Sequence, residues 1–305
     1  MRKTHSENTV GPWARQKLDG LESYLSAYTI ALSKMPFRLV YIDAFAGAGK
    51  SRVRDAWSGD DDEAQLFEDE RLARGEEEFI EGSPRRALNL RRPFNAYHFF
   101  DADAGRADLL RGLRDEFSDR GIEVRVGDAN ELVQALAPQL RGETKAVAFL
   151  DPYGPHLHWR TLEALAATGN VEVIINFPLG MAINRLIKRS GDNPDSWRRM
   201  LDACFGSEEW QEICYRTQED LFGKPSISKV EDAAARLLHY YVRRLKKLFG
   251  YAATPSVVRN TREVPIYYML WAGPNPLGLK IANHVLEQGE RVRRPASPVQ
   301  RDLFS

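Results

Sequence analysis

Apolar residues recur along this chain in two rhythms, and the switches between them lay out an architecture. Between Trp13 and Ser33, Trp13, Leu18, Leu21, Tyr24, Leu25, Tyr28 and Leu32 fall at helical spacing, and Pro36 follows as a stop. Next comes a compact apolar run, Arg38-Leu-Val-Tyr-Ile-Asp43, of the kind buried on both faces of a parallel sheet. Strand patterns return at Asn95 to Asp101, Ile122 to Asp128, Lys145 to Asp151 and Val171 to Pro178. Helical patterns separate them over Ala104 to Arg120 and Glu131 to Leu140. Strand and helix in alternation predict an α/β fold with a mostly parallel, Rossmann-like sheet. From Leu179 to Phe249 the pattern is helical only, carried by Trp197, Leu201, Phe205, Trp210, Ile213 and Leu221, with a last helix from Ser228 to Phe249. Strands at Ser256 to Arg259 and Val264 to Trp271, predicted as a hairpin at the sheet edge, bring the count to seven, and a helix from Leu277 to Leu286 follows.

This rhythm divides the chain. Residues 1–178 form a core interrupted near 56–81 by a stretch dense in Asp and Glu, whose few apolar anchors mark it as an insertion. Residues 179–250 read as a helical insertion, 251–290 complete the core, and 291–305 form a basic, Pro-rich tail expected to be mobile.

The chemistry gathers where strands end. Arg38 to Gly49 couples a strand ending in Asp43 to the small-residue turn Ala-Phe-Ala-Gly-Ala-Gly, in which Gly47 and Gly49 allow close backbone approach to a ligand. Such a junction marks the carboxyl edge of an α/β sheet, where nucleoside groups bind. Ala44 to Ser51 misses the phosphate-loop pattern GxxxxGK[ST] by one residue, and Ala146 to Asp151 resembles that loop's magnesium-binding strand. Against a phosphate loop stand Asp43, of the wrong charge, and Arg52 to Asp62, polar, Gly-broken and then acidic, in place of a helix start. A cationic sulfonium tolerates those carboxylates, which points to S-adenosylmethionine; a purely structural turn is the third reading.

Asp101, at the tip of the second strand, stands where such folds hold ribose hydroxyls, with Asp103 close behind. Asp128 either caps the helix after it or accepts from an adenine amine. Ser83, before Pro84, is either a helix cap or a ligand contact. Lys17 lies near the start of the first helix, within possible reach of a cofactor. Asp151-Pro152-Tyr153-Gly154 places an acceptor for an amine proton beside an aromatic face, and Asn176 ends the fifth strand as a second polar group. His98, mid-strand, reads as packed, and His156 with His158 is a pair lacking a third metal ligand.

Composition narrows the partners. The 305 residues hold 43 basic and 43 acidic side chains, so bulk charge names none, and a nucleic-acid surface must be a local patch. The basic and aromatic run Tyr240 to Lys247 is one candidate, although basic residues also complement a helix C-terminus. Two cysteines without metal-pair spacing, no apolar run of membrane length and no leader-like h-region give a cytoplasmic expectation.

YIDAFAGAG, EGSP, FFDAD, GDA, FLDPYG, INFP and YYMLWAGPNPLGLKIANHVL, in this order, resemble the three-Cys-motif partner family, TcmP, over nearly the whole chain. The resemblance implies a companion protein with a three-cysteine motif. The same order is similar to a bacterial ribosomal RNA adenine-N6 methyltransferase family with a class I sheet. That similarity implies cofactor contacts at Lys17, Phe45, Ser83, Asp101, Asp128, Ala129 and Asp151. It also implies methyl transfer to an amine of RNA or DNA. The family's DPPY reads DPYG here, with its aromatic one place early. A module that binds the cofactor or the companion without transferring methyl groups is the alternative reading, and a phosphate-loop NTPase the next.

Overall fold

A computed structural model of the chain describes residues 12–46, 82–219, 225–259, 264–286 and 290–291. The turn glycines Gly47 and Gly49, Lys50 and Ser51, the acidic stretch 56–81 and the tail beyond 291 lie outside the described residues.

The long helix α1 (Pro12–Leu32) leads into β1 (Arg38–Asp43). After it come α2 (Ser83–Leu88), β2 (Ala96–Asp101), α3 (Ala104–Glu116), β3 (Ile122–Val126), α4 (Ala129–Leu136), β4 (Thr144–Leu150), α5 (Trp159–Ala166) and β5 (Val171–Phe177). Strands β1 to β5 run parallel in the order β3-β2-β1-β4-β5, the doubly wound arrangement. β1 pairs with β2 on one side and β4 on the other, so the order reverses at β1 and opens a crevice at the carboxyl ends of β1 and β4.

The period of two within each strand feeds two cores. Val40 and Ile42 point into a cluster with Val133, Leu162 and Tyr241, whereas Leu39 and Tyr41 meet Leu21, Leu25 and Phe94 on the opposite face. Both faces are therefore covered, which is why the strands read as continuous apolar runs.

Residues 179–249 depart from the purely helical expectation. A π-helical turn, Leu179–Ile183, and a single turn, Asn184–Leu186, lead to α6 (Asp195–Phe205) and α7 (Glu209–Cys214). An antiparallel hairpin, β6 (Tyr215–Glu219) with β7 (Pro225–Lys229), then precedes α8 (Ala233–Phe249). The hairpin's YRTQE and PSISK strands are short and polar, with Ile227 half exposed at 53 %, so they leave no apolar pattern to find. After it come β8 (Tyr251–Ala252), β9 (Ser256–Arg259), β10 (Pro265–Gly273), α9 (Pro276–Leu286) and β11 (Glu290–Arg291). β10 inserts antiparallel against β5, with β9 beyond it and the short β11 outermost, giving the sheet nine strands among the described residues where the sequence predicts seven. The two extra strands, β8 and β11, have two residues each, too few for any periodicity.

α1 packs against α2 and α9 and carries Tyr24 to a buried polar knot. Tyr24 donates to Glu172 on β5 and accepts from the Trp271 indole N–H at 2.7 Å. Glu172 is 6 % exposed, and burial pushes its carboxyl from the ordinary 4.5 up to about 7, partly offset by bonds from Tyr24 and Trp271. A carboxyl whose folded value is raised stabilises the fold most below its unfolded value, and that stability falls as pH rises towards the folded value. For Glu172 the window runs from 4.5 to about 7. In Glu172→Gln the loss of stability between about pH 5 and pH 8 is expected to shrink by about 2–3 kcal/mol, read by urea unfolding at each pH. An equal pH slope in both proteins would show Glu172 to be hydrated.

Candidate functional site

The crevice at the reversal point is lined by the ends of β1, β4 and β5 and roofed by α1 and α2. Asp43, the last residue of β1, is fully buried. The Tyr41 hydroxyl, two residues back on the same face of the strand, donates to its Oδ2 at 3.3 Å, and Ser83 hydrogen-bonds it as well. Burial pushes the Asp43 carboxyl up to about 7; Ser83 lowers it, nearby Asp151 raises it, and Tyr41 and Lys17 lower it. Ser83 is not the helix cap: α2 starts from Gly82 with no side-chain cap bond, which leaves the Ser83 hydroxyl for Asp43 and Tyr41.

Beyond Asp43 the small residues Ala44 and Ala46 are pinned between neighbouring strands. The Ala44 N–H meets Phe149 O at 3.1 Å and the Ala46 N–H meets Phe100 O at 2.9 Å. Phe45, between them, is half-buried and packs against the core cluster of β1, β4 and β5.

β4 delivers Asp151, whose carboxylate is bonded on both oxygens. Lys17 Nζ donates to Oδ2 at 2.7 Å and Asn176 Nδ2 donates to Oδ1 at 2.6 Å. Lys17 and Asp151 are each 7 % exposed, and Asn176 is fully buried. The register explains the second bond: Leu150 pairs with Ile175, so the next residues, Asp151 and Asn176, emerge side by side. Pro152 is buried and Tyr153 half-buried against the same core. Gly154 has φ of 63°, a left-handed backbone favouring glycine, which accounts for the bare fourth position of DPYG.

Asn130 holds the loop after Asp151 against α4. Its Nδ2 donates to His156 O and its Oδ1 accepts from the His158 N–H, both at 2.9 Å, with Thr161 Oγ1 donating at 2.8 Å. The sequence reading passed over Asn130 and Tyr41. An Asn immediately before a predicted helix and a Tyr two places before a strand-end acid were the available signals. Burial pushes the His156 imidazole down to about 4.

Along the neighbouring tips, Asp101 is 2 % exposed and accepts the Asp103 N–H on Oδ1 at 2.8 Å. Burial raises its carboxyl to about 6, against the lowering effect of that bond. Asp103 caps α3 by accepting from the Arg106 N–H at 3.0 Å. Asp128 caps α4, taking the Asn130 and Glu131 N–H groups at 2.9 and 3.1 Å, both on Oδ1. Ala129 opens α4 and is half-buried. His98 sits within β2 with Nδ1 at 3.1 Å from Glu123 of the edge strand, away from the tips.

Thus Lys17, Asp151 and Asn176 form one bonded group, and Asp43, Ser83 and Tyr41 a second that feels its charges, while Asp101 and Asp128 stand on adjacent strand ends. Three buried acceptors of this rim, Asp43 Oδ1, Asp101 Oδ2 and Asn176 Oδ1, have no hydrogen-bond donor among the described residues. Buried acceptors are normally paired, and each orphan costs about 1–3 kcal/mol. Fold and rim together define a doubly wound α/β protein whose carboxyl edge calls for a donor-bearing ligand.

No family model matches the chain, and no curated protein matches it. Among solved structures it is similar to protein LPL1258 from Legionella pneumophila, at 13% identity and a TM-score of 0.47, covering 92% of this chain and 93% of that one. It is similar to an rRNA methylase from Streptococcus thermophilus at 9% identity and a TM-score of 0.31, covering 69% and 95% respectively. A spermidine synthase from Thermotoga maritima matches at 9% identity and a TM-score of 0.37, covering 89% and 62%. Among the described residues, no helix is long and apolar enough to cross a membrane.

Proposed function

We propose that this chain is an S-adenosylmethionine-dependent methyltransferase acting on an amine of a nucleic-acid base, in RNA or DNA, together with a three-Cys-motif companion protein. The observation that carries the reading is the set of orphaned acceptors at the tips of β1, β2 and β5. A nucleoside brings hydroxyl and amine donors to such a rim, and a sulfonium brings the positive charge that buried carboxylates favour. Asp101 Oδ2 accepts from ribose hydroxyls. Both capping bonds of Asp128 fall on Oδ1, leaving Oδ2 to accept from the adenine amine. Phe45 and Ala129 flank the nucleoside, and Asp43 with Ser83 sets the negative floor beneath it. Gly47 and Gly49 are assigned to the turn beside it from sequence alone. The bound cofactor supplies an electrophilic methyl group.

Lys17 and Asn176 fix the direction of the Asp151 carboxylate, the group placed to accept a substrate N–H. Tyr153 offers a platform for the base, and Pro152 stiffens the link between the two. Catalysis here is mostly orientation of an amine towards a methyl group.

Titration calorimetry with S-adenosylmethionine tests this. Wild type is expected to bind, and Asp101→Ala to bind about tenfold more weakly, the worth of one hydrogen bond to a charged group. No heat from wild type, or equal affinities, would overturn the reading. A second reading, cofactor binding without transfer, is favoured by the Lys17 ammonium already seated on Asp151. Radiolabelled methyl transfer to cellular RNA and DNA, with and without the companion, separates the two.

A further inference from the structure

The exit of β5 is built as one hydrogen-bonded unit with the β6–β7 hairpin. Lys229 donates through Nζ to Asn184 O and Ile187 O, both at 2.9 Å, and to Asn184 Oδ1 at 2.8 Å, so its charge is spent on the carbonyls of a helical turn. Its backbone N–H meets Arg189 O at 3.0 Å. Asn193 Nδ2 donates to the Tyr215 hydroxyl at 2.8 Å, which in turn donates to Lys188 O at 2.9 Å. This unit displays Arg185, Lys188, Arg189 and Arg216, all exposed. Among the described residues none of the four is in an ion pair; of the neighbouring acids, Asp195 and Asp232 face Arg198 and Arg236, and the exposed Asp192 and Glu231 reduce the positive charge without cancelling it. Lys188 also lies over the Trp197 ring, 5.1 Å from its centroid. In a chain of zero net charge this is a local excess.

The fold places this excess on the side of the crevice. Tyr241, midway along α8, stacks on Phe177 at the tip of β5, with centroids 4.3 Å apart. α8 then ends at Gly250 and passes into β8, which pairs with Ala272 and Gly273, the far end of β10 from that tip. The other basic run, Arg243 to Lys247, therefore descends towards the amino edge. Arg244 within it is consumed by packing, 4.0 Å over the Trp159 ring. The half of α8 before Tyr241 rises about 12 Å beyond the strand tip, with the hairpin at its start.

We propose that Arg185, Lys188, Arg189 and Arg216 take the phosphate backbone of the strand whose base enters the crevice. The surface rests on the proposed function only for naming nucleic acid as the substrate. Cations of this kind position a strand without reading its sequence.

The test is fluorescence anisotropy of labelled 20-nucleotide single-stranded RNA and DNA with the full chain and no cofactor, across a salt series. Neutralising about four phosphates on a single strand gives a log–log salt slope near −3. In Arg185→Gln/Lys188→Gln/Arg189→Gln/Arg216→Gln the slope is expected to fall towards zero and affinity at about 0.1 M salt to drop at least tenfold. Arg243→Gln/Lys246→Gln/Lys247→Gln should leave both unchanged, and matching melting curves exclude misfolding. The reverse pattern between the two variants, or wild-type binding without salt dependence, overturns the surface. So does loss of companion binding in the fourfold variant when neither strand binds, which would assign the patch to an acidic protein. Strand binding is read without cofactor, so a chain that binds RNA or DNA here yet gives no heat with S-adenosylmethionine sinks the methyltransferase reading and not this one.

Discussion

Asp151→Ala is expected to destabilise the protein by about 3–5 kcal/mol near neutral pH, the cost of stranding a buried charge. Lys17 Nζ, itself 7 % exposed, would lose the carboxylate 2.7 Å away, and Asn176 Nδ2 would lose its acceptor in a fully buried position. Replacing both partners tells the pair from its members: Lys17→Met/Asp151→Leu removes both charges, and such swaps are often neutral. The double variant should therefore be more stable than Asp151→Ala alone, a non-additivity measurable by urea unfolding. A loss below about 1 kcal/mol in the single variant would mean that water, not protein, compensates Lys17.

Gly180→Ala should cost at least as much, about 4 kcal/mol or more, for a different reason. A Cβ on Gly180 would stand 2.1 Å from Pro265 O and 2.7 Å from its carbonyl carbon, so two backbones would collide where no side chain can swing aside. Gly180 lies in the π-helical turn just past Asn176, and Pro265 opens β10 beside β5. The strain would push the β5 exit off β10 and shift Asn176 away from Asp151. Thermal melting reads the loss; a melting curve matching wild type would show that the turn has slack.

The strand ends were legible because an apolar run closing in an acid leaves a plain mark, and β1 to β4 appear where that mark predicts them. Their parallel direction followed from the alternation of strand and helix. The bonds that organise the rim did not. Lys17 and Asp151 are 134 residues apart, and no local pattern ties an ammonium in a helix to a carboxylate in a later strand. Ser83 looked like a cap because Ser-Pro commonly opens helices, yet Gly82 stands at the cap and the hydroxyl turns inward to Asp43. For Asp128 both local readings fit the sequence, and the structure shows the cap. The hairpin escaped because its strands bury little, and a strand that buries little writes nothing periodic into its residues.

α1 emerges before the sheet in synthesis, yet Lys17 and Tyr24 find their partners late. Lys17 waits for β4, and Tyr24 for Glu172 and then for Trp271, 247 residues downstream. A nascent chain stopped before β10 would hold an unsecured first helix and a crevice without its roof, so cofactor affinity should be acquired only when the last long strand has joined the sheet.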